Sequence, residues 1–152
     1  MSEAPMELEK TVEKGITLAR KGEYVEALRL FDEELCFTQN PSAMSYYAVC
    51  LAKAEGEYDK AISLCLSAAE REFFNPDIYL NLGRVLLMNG QKSSAIKSFK
   101  KGLKFDNKNM EILNEINRLG VRRKPFFPFL ARGHALNKFL GSVLSRKARF
   151  NL

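Results

Sequence analysis

Apolar and polar positions along this chain follow a helical spacing, and the pattern returns at a fixed interval of 34 residues. Gly22, Glu23, Tyr24, Val25, Glu26 and Ala27 come back as Gly56, Glu57, Tyr58, Asp59, Lys60 and Ala61, and in weaker form as Gly90, Gln91, Lys92, Ser93, Ser94 and Ala95. Leu28, Ile62 and Ile96 follow the alanines, and Phe31, Cys65 and Phe99 stand four residues past them. A glycine just beyond a helix can adopt the left-handed conformation without steric cost, so each copy reads as a sharp turn between two antiparallel helices.

The pattern predicts three helical hairpins. The first runs from Pro5 to Lys21 and back from Tyr24 to about Phe37, the second spans about Ser42 to Arg71, and the third about Asp77 to Phe105. Asn40 before Pro41 and Asn75 before Pro76 each place a capping side chain ahead of a proline that suits the first helical turn. Ala27, Ala61 and Ala95 open the buried face of each second helix, where a methyl group lets two helices approach closely. A further amphipathic helix is expected from Asn107 to Leu119, as the cap that hides the last exposed face of such a stack. This divides the chain into a loose start (residues 1–5), a stacked region with its cap (6–121) and an extension (122–152).

Charge sets the extension apart. From residue 122 onward the chain has eight basic residues and no acid, +8, whereas the remainder has sixteen basic against eighteen acidic residues, −2. Arg122, Arg123 and Lys124 lead into Phe126, Phe127 and Phe129, where Pro125 and Pro128 forbid a regular helix. A last helix is expected after Gly133, with Leu136, Phe139, Leu140, Val143 and Leu144 on one face and basic residues on the other. Three roles suit this segment: folding back on the hairpins, contacting another protein or a second copy, or lying on an anionic membrane or a nucleic acid.

The rest of the composition narrows the function. With 46% hydrophobic and 28% charged residues the chain has the balance of a soluble globular protein. The first ten residues lack the basic and apolar segments of a secretory signal, so a cytoplasmic setting is expected. The longest uncharged run, Leu35 to Ala52, is broken by Asn40 and Pro41 and reads as two helix ends and a turn rather than a membrane span. Cys36, Cys50 and Cys65 form no paired motif and read as packed, reduced thiols; no metal or other cofactor is expected. Gly90, Gln91, Lys92 and Ser93 lack the spacing of a phosphate-binding loop, and His134 has no acid or nucleophile placed beside it. The chain carries no catalytic constellation and is expected not to be an enzyme.

In repeat length and in the pattern Leu-Gly … Ala-x-x-x-Phe, the sequence resembles the tetratricopeptide repeat (TPR) proteins over about Met6 to Arg118. The third repeat matches through Leu82, Gly83, Gly90, Ala95, Phe99 and Leu103, and the first through Gly15, Gly22, Tyr24, Ala27 and Phe31. The second matches through Gly56, Tyr58, Ala61 and Ala68, but has Val49 for the first-helix glycine and Cys65 for the phenylalanine, which should loosen it. The resemblance implies an all-α, right-handed α-solenoid of three TPR-like hairpins with a capping helix, followed here by the basic amphipathic helix. It also implies a non-catalytic adaptor, scaffold or chaperone-like subunit that holds a peptide or helix of another protein against its first helices. By that register the groove would comprise Val12, Ile16, Arg20, Tyr46, Cys50, Lys53, Leu80, Arg84, Leu87 and Met88, with Lys53 and Arg84 orienting acidic groups. The lysine and asparagine set that grips chaperone carboxylate ends is not supplied by Val12, Ile16, Tyr46, Asp77 and Asn81, so that specificity is not carried over.

Overall fold

The structure, a computed structural model, describes residues 3–31 and 40–120, with side chains from residue 9. Among these residues the chain forms seven helices and no strand: α1 (Glu3–Lys21), α2 (Tyr24–Leu30), α3 (Pro41–Ala54), α4 (Tyr58–Arg71), α5 (Pro76–Met88), α6 (Lys92–Phe105) and α7 (Met110–Arg118). They lie in one unit, Met1–Leu119. The predicted end of the second helix, Cys36, the tail residues Arg122, Arg123, Lys124, Phe126, Phe127, Phe129 and Phe139, and the last helix all fall outside the described residues.

Local chemistry explains the boundaries. Asn40 Oδ1 accepts the amide hydrogen of Ala43 at 2.8 Å, and Asn75 Oδ1 that of Asp77 at 3.0 Å, satisfying donors that the first turn leaves free. Gly22 and Gly90 turn at φ of 89° and 73°. At both, the next residue's amide reaches back to the helix, Glu23 to Leu18 O at 3.0 Å and Gln91 to Leu86 O at 2.8 Å, closing the same turn 68 residues apart. Three boundaries differ from expectation. Helix α2 ends at Leu30 instead of running on to about Phe37, because Phe31 turns to extended backbone at φ −78° and ψ 117° while its amide still reaches Ala27 O. Helix α1 starts at Glu3, because a proline within the first turn blocks no hydrogen bond that the helix needs. Helix α7 starts at Met110, because Asp106 Oδ1 takes the Lys108 amide and Asn109 Oδ1 takes that of Ile112 at 3.1 Å, so the turn holds residues 107–109.

Each hairpin packs helix on helix, and the first helices α1, α3 and α5 also stack directly on one another. Every second helix then leans on the first helix of the next pair: α2 on α3, α4 on α5 and α6 on α7. Helix α3, enclosed by α1, α2, α4 and α5, is buried from Ala43 to Ala52 on all sides. Ala27, Ala61 and Ala95 are fully buried at the crossings.

The crossings show how bulk is shared. A Cβ added at Gly83 would come within 2.2 Å of the Phe99 ring, and one at Gly15 within 3.0 Å of the Phe31 ring, so each ring lies on the bare backbone opposite. In the middle hairpin, Val49 and Cys65 occupy the corresponding positions, both buried in one cluster with Leu82, Val85 and Phe99. The larger residue has moved to the first helix and the smaller to the second, which corrects the expectation of a loosened repeat. At the end of the stack Ile112 of α7 sits against Gly102, as Ile78, one period earlier, is buried at the preceding junction.

Gly83→Ala is expected to lower unfolding free energy by about 1–2 kcal/mol in urea denaturation. The helix gains about 1 kcal/mol of propensity, but with the added Cβ only 2.2 Å from the Phe99 ring the overpacking cost falls in the upper part of its range, about 2–3 kcal/mol. Adding Phe99→Leu should return part of the loss. Unchanged or raised stability for Gly83→Ala would show that the ring and backbone are not interlocked.

Candidate functional site

The stacked first helices leave a cavity of about 340 Å³ on one side of the molecule. Helix α1 contributes Ala19 and Arg20; α3 contributes Tyr46, Val49 and Lys53; α5 contributes Asn81, Arg84, Leu87 and Met88; α7 contributes Glu115 and Arg118, with Tyr24 of α2 at one side. Of the residues expected in the groove, Arg20, Tyr46, Lys53, Arg84, Leu87 and Met88 line it. Val12, Cys50 and Leu80 do not. They are 2%, 0% and 0% exposed and belong to the core between helices, and Ile16 packs against that core, because a wide apolar stripe turns these positions toward neighbouring repeats.

The lining follows the repeat. Ala19, Lys53 and Leu87 are spaced by 34 residues, and Glu115 and Arg118 stand one period after Asn81 and Arg84. Helix α7 therefore continues the register of the first helices and forms a wall of the cavity as well as covering the stack. Extending the 34-residue register past Phe105 would have found Glu115 and Arg118 in the sequence.

Two arginines expected in the groove, of which Arg84 was to orient acidic groups, are already engaged. Arg20 Nε donates to Tyr46 Oη at 2.8 Å, its Nη2 meets Asp77 Oδ2 at 2.8 Å, and the guanidinium lies 5.2 Å from the centre of the Tyr46 ring. Tyr46 Oη donates in turn to Asp77 Oδ2 at 3.2 Å. This group joins all three hairpins. Arg84 Nη2 meets Glu111 Oε2 at 2.9 Å and Nε meets Glu115 Oε1 at 3.1 Å, tying α5 to α7. Burial alone would lower the Arg84 pKa, but the hydrogen bonds it donates to Glu115 and Glu111, with their charges, outweigh it and hold the guanidinium charged. Lys53 and Arg118 form no ion pair with a described residue; the Lys53 ammonium lies 6.0 Å from the centre of the Tyr24 ring.

Asn81 was noted in the sequence only as failing to complete a carboxylate-gripping set. It is fully buried and lines the cavity. Its Nδ2 donates to Ser45 Oγ at 2.9 Å, and that hydroxyl donates to the Ser42 carbonyl at 2.7 Å. Asn81 Oδ1 has no donor among the described residues.

Among the described residues no helix is long and apolar enough to cross a membrane. No family model matches the chain. A TPR repeat-containing protein of Methanocaldococcus jannaschii is 27% identical over 96 residues, a match that spans 62% of this chain and 17% of that protein. Among solved structures, the Yersinia enterocolitica type III secretion translocator chaperone SycD superposes with a TM-score of 0.55 at 21% identity, over 74% of this chain and 86% of that one. The same chaperone in complex with a peptide of the translocator YopD gives 0.56 at 20% identity, over 79% and 89%. Repeat register, fold and these likenesses agree on a TPR-like helical solenoid.

Burial raises the pKa of the Cys50 thiol from 9.0 to about 12, and burial followed by the charge of Asp77 raises that of Tyr46 from 10.0 to about 12. A raised value favours the protonated form in the folded chain, so this stability is fully present below about pH 9 and is lost as pH rises toward 12. Melting temperature should therefore fall steadily from pH 9 to 11, less steeply in Cys50→Ala. Equal slopes in the two proteins would contradict a buried, protonated Cys50 thiol.

Proposed function

We propose that this chain is a non-catalytic protein-interaction module, an adaptor or chaperone-like subunit, that takes a peptide of another protein in the cavity between α1, α3, α5 and α7. The observation that carries this reading is the cavity itself, to which every first helix of the stack contributes side chains in one register. Leu87, Met88 and Val49 offer apolar contact beside the polar floor, and a groove of this kind suits a chain segment more than a compact small molecule. The SycD complex supports the reading, since a chaperone of similar fold is seen there with a peptide of its translocator. Lys53 and Arg118, without an ion pair to any described residue, are the cations that would orient acidic groups of the bound segment.

The test begins with dodecapeptides selected from a random library on the immobilised full chain. Their affinities are then measured by fluorescence anisotropy for wild type, Lys53→Glu, Arg118→Glu and the outer-helix control Lys97→Glu. The first two reversals should weaken binding about tenfold or more, while the control stays within about twofold. Selected peptides that bind all four proteins equally would place recognition away from the cavity and refute the proposal.

A further inference from the structure

Three large apolar side chains that stand out into solvent meet at one place. Phe73 and Phe74, in the turn between α4 and α5, are 61% and 60% exposed, and Phe105, the last residue of α6, is 41% exposed. Their rings form a row: Phe74 meets Phe73 edge to face at 5.5 Å between centres, Phe73 meets Phe105 at 6.3 Å, and Phe105 stacks on Tyr79 at 5.7 Å. The repeat does not require them. One period before Phe73 and Phe74 stand Gln39 and Asn40, and one period after them Asn107 and Lys108, so polar residues serve in the equivalent turns. Clustered phenylalanines kept in water where the fold has no use for them mark a contact with something else.

The turn that carries the rings is held in place. Asn75 donates its amide to Glu72 O at 3.2 Å and its side-chain Nδ2 to Glu72 Oε2 at 2.9 Å, and Tyr79 Oη donates to the Phe73 carbonyl at 2.7 Å. That carbonyl therefore takes its hydrogen-bond partner along if the rings enter an apolar medium.

The charge beside the row is positive. Residues 92–108 contain six lysines and a single acid, Asp106. Lys97, Lys101 and Lys104, spaced four and three residues apart, share one exposed face of α6, and Lys101 Nζ lies 4.8 Å from the centre of the Tyr79 ring, which joins that face to the row. None of these three forms an ion pair with a described residue. The carboxylates at the border are already used, Glu72 by the Asn75 side chain and Asp106 by the Lys108 amide.

Lysine is depleted at protein–protein contacts, and stacked bases need open ring faces, whereas Phe105 stacks on Tyr79 and Lys101 lies over it. A lipid surface asks for neither a matching pocket nor an open face. Phenylalanines without a polar atom suit the boundary between headgroups and acyl chains, and lysines, as point charges on long stems, meet phosphates from any direction. We infer that the turn at residues 72–75 and the adjoining face of α6 are a docking site for an anionic lipid bilayer. Phe73 and Phe74 enter the headgroup boundary with Phe105 at its edge, and Lys97, Lys101 and Lys104 lie against lipid phosphates. The site is independent of the cavity.

The chain contains no tryptophan, so Phe74→Trp gives the full-length protein a single fluorescent reporter at the site, and Val25→Trp gives one on α2 of the first hairpin. With vesicles of equal parts phosphatidylcholine and phosphatidylserine at low salt, emission of Phe74→Trp should shift to the blue and be quenched by acyl-chain-brominated lipid. Neither change should occur in Val25→Trp or with phosphatidylcholine alone. In vesicle sedimentation, Phe73→Ser with Phe74→Ser, and Lys101→Glu with Lys104→Glu, should each weaken binding about tenfold or more, with circular dichroism melts like that of wild type. The tryptophan reading decides by itself if either double variant melts early. Sedimentation of Phe74→Trp without the blue shift would assign lipid binding to another part of the chain and overturn the inference. Absence of sedimentation would overturn it too, as would an emission change produced by poly(dT) or polyglutamate and not by the vesicles.

Discussion

The structure depends on how closely two helices can approach within each hairpin. Three alanines, Ala27, Ala61 and Ala95, keep the crossings narrow, and in the first and third hairpins a ring on one helix fits against a glycine on the other. That separation fixes the tilt of each pair. The tilt in turn decides whether α1, α3, α5 and α7 line up well enough for residues 34 apart to face one cavity. A solenoid has few contacts beyond neighbouring units to correct a misplaced one, so every crossing transmits its geometry to the next.

On the cavity side, polar groups brace this arrangement. Arg20 of the first hairpin reaches Tyr46 of the second and Asp77 of the third, and Arg84 holds α7 through two glutamates. Exposed ion pairs add little free energy singly, about 0–1 kcal/mol, so their effect is more on register than on stability. These arginines shape the walls, whereas Lys53 and Arg118, which form no ion pair with a described residue, are the cations that the proposed function gives to a ligand. On that proposal, register and recognition fall to different cations of one surface.

Much of the fold was legible because it is periodic. Gly22, Gly56 and Gly90, the caps Asn40 and Asn75, and the buried alanines each recur at or near the same interval, and agreement among several independent positions specifies a repeat better than any single motif. The cavity was only half legible. Arg20, Tyr46, Lys53, Arg84, Leu87 and Met88 were placed by register, but Val12, Cys50 and Leu80 lie a fraction of a turn away, where helix period alone does not separate a groove from an inter-repeat contact. The pairing of Arg84 with Glu111 and Glu115 was hidden because it joins helices 27 and 31 residues apart, outside the intervals that a single helix makes visible. The orientation of Asn81 depends on a hydroxyl hydrogen of Ser45, which no sequence pattern records.

The exchange of Gly and Phe in the outer hairpins for Val49 and Cys65 in the middle one bears on how such a chain can diverge. Passing from one pair to the other by single substitutions leads through one of two intermediates, valine facing phenylalanine or glycine facing cysteine. The first has no room; the second leaves a void that neighbouring side chains can partly close. Divergence is thus ordered, with the ring given up before the glycine is filled. Each position then accepts its new residue only in the background of the other, so the two sites are coupled through the space they share.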